Sequence, residues 1–209
     1  MASTVIHLCV AKEIDDALSI NSKDFHIGSI APDIGKIVGI GKAPTHFGNN
    51  SDDATPIMQR FLNKYKDKLD EDFTLGYFVH LYTDYLWDKY FVTDFVREDT
   101  ITLHNGDVVE LSDEVYKKFI YNDYTDMNVK LINFYDLDLR FLFNPPFGIE
   151  TSIKEMPIDK ITELFDKSIE ILKESEKKKN YVFNILEVTK FIEFASPIIV
   201  EEILRRKKT

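Results

Sequence analysis

Asp72-Phe73-Thr74-Leu75-Gly76-Tyr77-Phe78-Val79-His80-Leu81-Tyr82-Thr83-Asp84-Tyr85-Leu86-Trp87-Asp88-Lys89-Tyr90-Phe91 is the stretch that decides the fold. Apolar and aromatic side chains fall on nearly every side of it, the pattern of a helix buried at the centre of a helical protein. Its polar residues His80, Asp84 and Asp88 are four apart, so a helix sets them on one face. Something must satisfy a histidine and a carboxylate placed among Leu, Phe, Tyr and Trp, because burying either without a partner is costly.

The same periodicity extends in both directions. Residues 3–20 read as a helix capped by Ser3, with Ile6, Val10, Ile14 and Leu18 on one stripe. A short helix from Ser22 should end before Pro32. Residues 35–54 read as a loop, and Thr55-Pro56 as the start of a helix running to about Leu69. Residues 100–111 break the pattern: two short apolar-polar runs flank Asn105-Gly106, which predicts a hairpin with a type I′ turn. Helices are expected again over about 112–135, 158–178 and 182–207. The expectation is an all-α, multi-helix bundle with one small β-hairpin, forming a single domain over 1–209.

Composition narrows the function classes. The 209 residues are 44% hydrophobic and 30% charged, a soluble globular profile. With 16 Phe and 10 Tyr, the core should be packed largely by rings. The net charge of −10 repels long nucleic acid and anionic lipid. It leaves a small phosphate substrate open, since bound divalent cations invert the local field. The single Cys9 excludes an intrachain disulfide and reads as buried and inert. No apolar run reaches the ~18 residues of a membrane helix, and the start carries no signal-peptide pattern. The expected location is cytoplasmic.

Three further polar residues stand out beside the helix pair. Asp33 lies in Gly28-Ser29-Ile30-Ala31-Pro32-Asp33-Ile34-Gly35, where it is either a turn aspartate or a ligand. His46 sits in Ala43-Pro44-Thr45-His46-Phe47, as a loop histidine or a ligand. His7 lies on the inward side of the first helix, as a core histidine or a ligand. Taken alone, His80 and Asp84 form either a hydrogen-bonded core pair or two metal donors. Imidazole nitrogen and carboxylate oxygen together suit zinc and similar divalent ions. Lys36 and Lys42 flank the Asp33–His46 segment and read as solvated lysines that can meet a phosphate. His26 has no role beyond possible support of the site.

In the order His7, Asp33, Thr45-His46-Phe47 and Gly76-Tyr77-Phe78-Val79-His80-Leu81-Tyr82-Thr83-Asp84, the first 90 residues resemble the zinc-dependent phospholipase C family, whose fold is shared with fungal single-strand nucleases. The resemblance implies that Asp33, His46, His80 and Asp84 hold one zinc, with Asp84 reaching toward a second ion at His7. The family's third ion uses two later histidines and a glutamate. Here the only later histidine is His104, so two ions at most are expected, with Asp88, His104 and Glu110 the next residues to test. The implied activity is hydrolysis of a small phosphoester, such as a lipid headgroup or nucleotide, by metal-activated water, with Asp33 as the catalytic carboxylate that orients the water. The alternatives are a nuclease or nucleotidase on the same fold, or a regulatory protein that keeps the metal and has lost catalysis.

Overall fold

The computed structural model describes residues 1–50, 55–97, 99–146, 148–174 and 180–207. It is mostly helical with one small antiparallel sheet. The helices are α1 (Thr4–Leu18), α2 (Lys23–Gly28), α3 (Ile34–Ile37), α4 (Lys42–His46), α5 (Met58–Tyr65), α6 (Asp72–Leu86), α7 (Asp113–Tyr116), α8 (Asn122–Phe134), α9 (Arg140–Phe143), α10 (Ile161–Lys173) and α11 (Ile185–Lys207). The strands β1 (Val96–Arg97), β2 (Thr100–Thr102) and β3 (Val108–Glu110) pair in chain order, with Val96 opposite Ile101 and Ile101 opposite Val109. No helix is long and apolar enough to cross a membrane among the described residues.

Helix α6 lies at the centre, as its all-round apolar sequence requires, and packs against α1, α2, α5 and α11. Its rings continue into the core: Trp87 stacks among Phe91, Phe183, Phe191 and Tyr124. Buried apolar side chains from Ala2 to Ile203 form one connected core. Cys9 is buried within it, and burial pushes its thiol well above the ordinary range. The Ser3 cap of α1 and the Ser112 cap of α7 form as the sequence indicates, accepting from Ile6 N–H and Val115 N–H.

Several boundaries differ from the sequence reading. Pro32 does not stop the chain from coiling: it sits inside a 3-10 turn, Ala31–Asp33, where its missing N–H needs no partner. The 35–54 segment is not all loop, because α3 and α4 lie within it; residues 51–54 fall outside the described residues. The helix expected at Thr55-Pro56 starts at Met58. The 72–91 helix changes at Trp87 into a π-helical turn, and the helix over 113–134 contains a second one at Lys117–Tyr121. In the hairpin, Gly106 alone of the turn has positive φ (88°). Gly106 N–H bonds to the Leu103 carbonyl, and the Asn105 side chain accepts from Asp107 N–H. That side-chain bond holds Asn105 out of the left-handed region, so the loop is a three-residue one rather than type I′. The last helix begins at Ile185, after a non-helical stretch at 181–183 whose three N–H groups all donate to the buried Asp123 carboxylate.

One contact sets the geometry around α6. A Cβ built on Gly76 would overlap the Phe25 carbonyl oxygen, and one built on Gly28 would overlap the Phe73 carbonyl oxygen. Helices α2 and α6 therefore touch backbone to backbone, which only glycine at both positions allows. Helix propensity alone makes Gly76→Ala stabilising by about 0.8–1 kcal/mol. The overlap reverses the sign: we expect a loss of about 1–3 kcal/mol, read as a Tm drop of roughly 3–10 °C. An unchanged or raised Tm would contradict the close crossing.

Candidate metal centre

Helix α6 presents His80 and Asp84 on consecutive turns, and the α2–α6 crossing brings the end of α2 over His80. The Ser29 carbonyl accepts from His80 Nδ1 at 2.8 Å. Helix α4 arrives from the other side. Its Thr45 carbonyl accepts from the Tyr77 hydroxyl of α6, and Thr45 Oγ1 donates to the Pro32 carbonyl at 2.7 Å. These bonds point His46 at His80. Phe47, in the left-handed region at φ 57°, then ends α4 and packs its ring on Phe61, Tyr65 and Tyr77. Helix α1 completes the cluster by stacking His7 on His80, with ring centroids 3.7 Å apart and planes 12° from parallel.

All five residues singled out in the sequence meet here. His46 Nε2 and His80 Nε2 are 3.2 Å apart. They lie 3.4 and 3.5 Å from Asp84 Oδ2, and His46 Nε2 is 3.8 Å from Asp33 Oδ1. The other Asp84 oxygen, Oδ1, is 3.3 Å from His7 Nε2 and accepts from Ala2 N–H at 2.8 Å. Two overlapping groups, His7–His80–Asp84 and Asp33–His46–His80, each bring their donor atoms within 4.8 Å of one another, so they can hold a metal ion.

Hydrogen-bond partners assign the tautomers. His80 Nδ1 faces the Ser29 carbonyl, and His46 Nδ1 faces the Lys42 carbonyl at 3.0 Å. Each Nδ1 must donate, so each neutral ring keeps its lone pair on Nε2. Two such lone pairs 3.2 Å apart repel unless a proton or a cation lies between them. The carboxylate beside them favours a cation. Asp84 is fully buried, and its Oδ2 has no hydrogen-bond donor; both nitrogens of buried His7 also lack aligned partners. A tetrahedron with arms of about 2.1 Å has edges of about 3.4 Å, close to the His46–His80–Asp84 separations of 3.2, 3.4 and 3.5 Å.

The charges agree with this reading. Burial, aided by His80, pulls His7 down to about 4, and burial also lowers His46. At neutral pH these rings are neutral donors. Burial pushes the Asp84 carboxyl up, and protons on the facing His7, His46 and His80 rings would pull it well below the ordinary range; with His7 and His46 neutral, that pull has to come from a cation in their place. Asp33 behaves likewise, with Lys42 the largest influence against burial.

Other residues fall outside the cluster. Asp88, which lies one turn beyond Asp84 and could be a substitute ligand or a partner outside the ligand set, accepts from the Met1 amino group at 2.9 Å and from Thr55 Oγ1 at 3.3 Å. His104 lies 3.2 Å from Glu187 in the hairpin region, and His26 lies 2.9 Å from Asp15. Trp87 is a core residue, as its position predicts. Sequence reasoning missed the two carbonyls that fix the rings, because any residue supplies a carbonyl. It also read Lys42 as solvated, whereas its ammonium sits 2.6 Å from Asp33 Oδ1 with the side chain 18% exposed. A lysine four residues before His46, on the turn that supplies the carbonyl for Nδ1, was the available signal. No family model, curated protein or solved structure matches the chain.

The histidine shifts set a pH dependence. A base whose folded pKa is depressed gains no proton in the folded state while the unfolded chain titrates near 6.5, so stability falls as pH drops from about 6.5 toward 4. For His7 alone the loss between pH 7 and pH 5 is of order 2 kcal/mol. Urea unfolding of chelator-treated protein at the two pH values should show that loss, and His7→Gln should reduce it. Equal stability at both values would contradict a neutral, buried His7.

Proposed function

We propose that the protein is a zinc-dependent phosphoesterase of the phospholipase C type, with Asp33, His46, His80 and Asp84 as the principal ligands and His7 beside a second position. One observation carries the metal: two imidazoles, each fixed through Nδ1, aim Nε2 lone pairs at one point beside the buried carboxylate of Asp84. Two nitrogens and two carboxylates fit zinc, and also suit other divalent ions. The two Asp84 oxygens divide between the His46–His80 pair and His7, so Asp84 would be a ligand on both sides if two ions were bound. The order of the motifs along the chain supports the phospholipase C comparison.

A divalent ion held by these residues would supply Lewis acidity toward a phosphoryl oxygen and toward water. The protein's own groups do the rest. Asp33 is the ligand that reaches the edge, at 14% exposure, while the other four are closed off. It stays an anion across the working pH range, so it accepts a hydrogen bond from an incoming water and orients it. Lys42 fixes the Asp33 carboxylate by their 2.6 Å contact. The carbonyls of Ser29 and Lys42 keep the two rings from turning.

A second reading is a structural metal centre without catalysis. The burial of His7, His46, His80 and Asp84 at 0–1% exposure favours it, since structural sites are closed and catalytic ones keep a position open. Metal analysis combined with a chromogenic phosphoester screen separates the two. We expect one or two zinc ions per chain, and His80→Ala should weaken zinc binding by more than about 100-fold. His7→Ala should keep the first ion while hydrolysis falls steeply. Full zinc content in His80→Ala refutes the ligand set; zinc without turnover of any phosphoester selects the structural centre.

A further inference from the structure

Lys42 stands where the ligand cluster reaches the surface, beside the partly exposed Asp33, and Lys36 lies near it through Tyr121. Lys42 Nζ spends one N–H on Asp33 Oδ1 and faces the sulfur of Met1 at 3.6 Å; its third N–H has no partner among the described residues. Lys36 Nζ bonds the Tyr121 hydroxyl at 2.9 Å and lies over that ring, 4.9 Å from its centre. Tyr121 meets Tyr116 edge to face and lies within electrostatic range of Lys42. The Lys117–Tyr121 π-helical turn, a distortion that often marks functional sites, places Tyr121 here. On a chain of net charge −10, two ammonium groups gathered at one edge run against the general field.

Charge at this edge selects a substrate. Asp33 and Lys42 are the partly exposed members of the cluster, and the remaining ligands are buried. A phosphodiester carries substituents on both sides of phosphorus and one negative charge. A phosphomonoester presents a bare terminal phosphate with close to two charges at neutral pH. Resting on the phosphoesterase reading, we propose that Lys42, backed by Lys36, grips the terminal phosphate of a small monoester and thereby sets the site's preference for monoesters over diesters. In the reaction the ester P–O bond breaks and the water oxygen bonds phosphorus. One water proton leaves with the alcohol and the other stays on the released hydrogen phosphate.

The test titrates inorganic phosphate into the zinc-loaded protein by calorimetry, for the wild type, Lys42→Met and Lys42→Arg. Zinc content is measured alongside, as is turnover of p-nitrophenyl phosphate and bis(p-nitrophenyl) phosphate. Losing a charge-assisted hydrogen bond should weaken phosphate binding in Lys42→Met about tenfold or more. Zinc content should be unchanged, and Lys42→Arg should stay near the wild type. The monoester should be the preferred substrate, and Lys42→Met should raise its KM more than it lowers kcat. If Lys42→Met binds phosphate as the wild type does, loses its zinc, or if the diester is turned over as readily, the inference is overturned. If neither ester reacts while phosphate binding still requires Lys42, the phosphate grip stands and the hydrolase reading falls. A wild type that binds no phosphate overturns the grip.

Discussion

The backbone contact between α2 and α6 at Gly28 and Gly76 governs the geometry of the cluster. It lets the end of α2 descend onto α6, so that the Ser29 carbonyl meets His80 Nδ1 one turn beyond Gly76. Without that approach the ring would lose the acceptor that fixes its tautomer. Asp33 and α4 follow from the same placement. The chain leaves α2, turns through Ala31–Asp33, and returns Thr45 to the Pro32 carbonyl. A steric condition on two glycines thus becomes a condition on which nitrogen lone pairs face one another.

Electrostatics then makes the cluster more than a core hydrogen-bond network. Asp33 has Lys42 as its counter-charge, but Asp84 is buried with one N–H donor on Oδ1 and none on Oδ2. Burial keeps His7 and His46 neutral, so these rings do not balance that carboxylate as cations. An uncompensated buried charge costs several kcal/mol. A divalent cation among the Nε2 and carboxylate atoms removes that cost and uses donors already aimed at it. The same logic separates Lys42 from the ligands: it neutralises Asp33 at the exposed edge and keeps an N–H for an anion that arrives there.

Much of this was legible in the sequence, for reasons that particular residues make clear. The 72–91 run identified the central helix because apolar and aromatic side chains fall on nearly every side of it, and the four-residue spacing of its few polar residues put His80 and Asp84 together. His7, Asp33 and His46 were legible as polar interruptions of apolar surroundings, although nothing in their spacing fixed their distances. The coil of α4 was hidden because glycines and prolines around it read as a loop, while tertiary bonds from Thr45 and Tyr77 stabilise so short a helix. The β1 strand is two residues long, too short to leave a pattern, and the loop form around Asn105 depends on a single side-chain bond. Lys42 shows the limit most plainly, since its spacing from His46 hints at a role but the fold is needed to show its ammonium facing a carboxylate nine residues before it in the chain.

The central claim is that one divalent ion sits among imidazole Nε2 and carboxylate oxygen atoms. X-ray absorption at the zinc edge of the purified, stoichiometrically loaded protein tests it most directly. The account predicts a nitrogen and oxygen shell at about 2.0–2.2 Å, with outer scattering from at least two imidazoles and no sulfur. A sulfur shell at about 2.3 Å, or a shell without imidazole scattering, would contradict it.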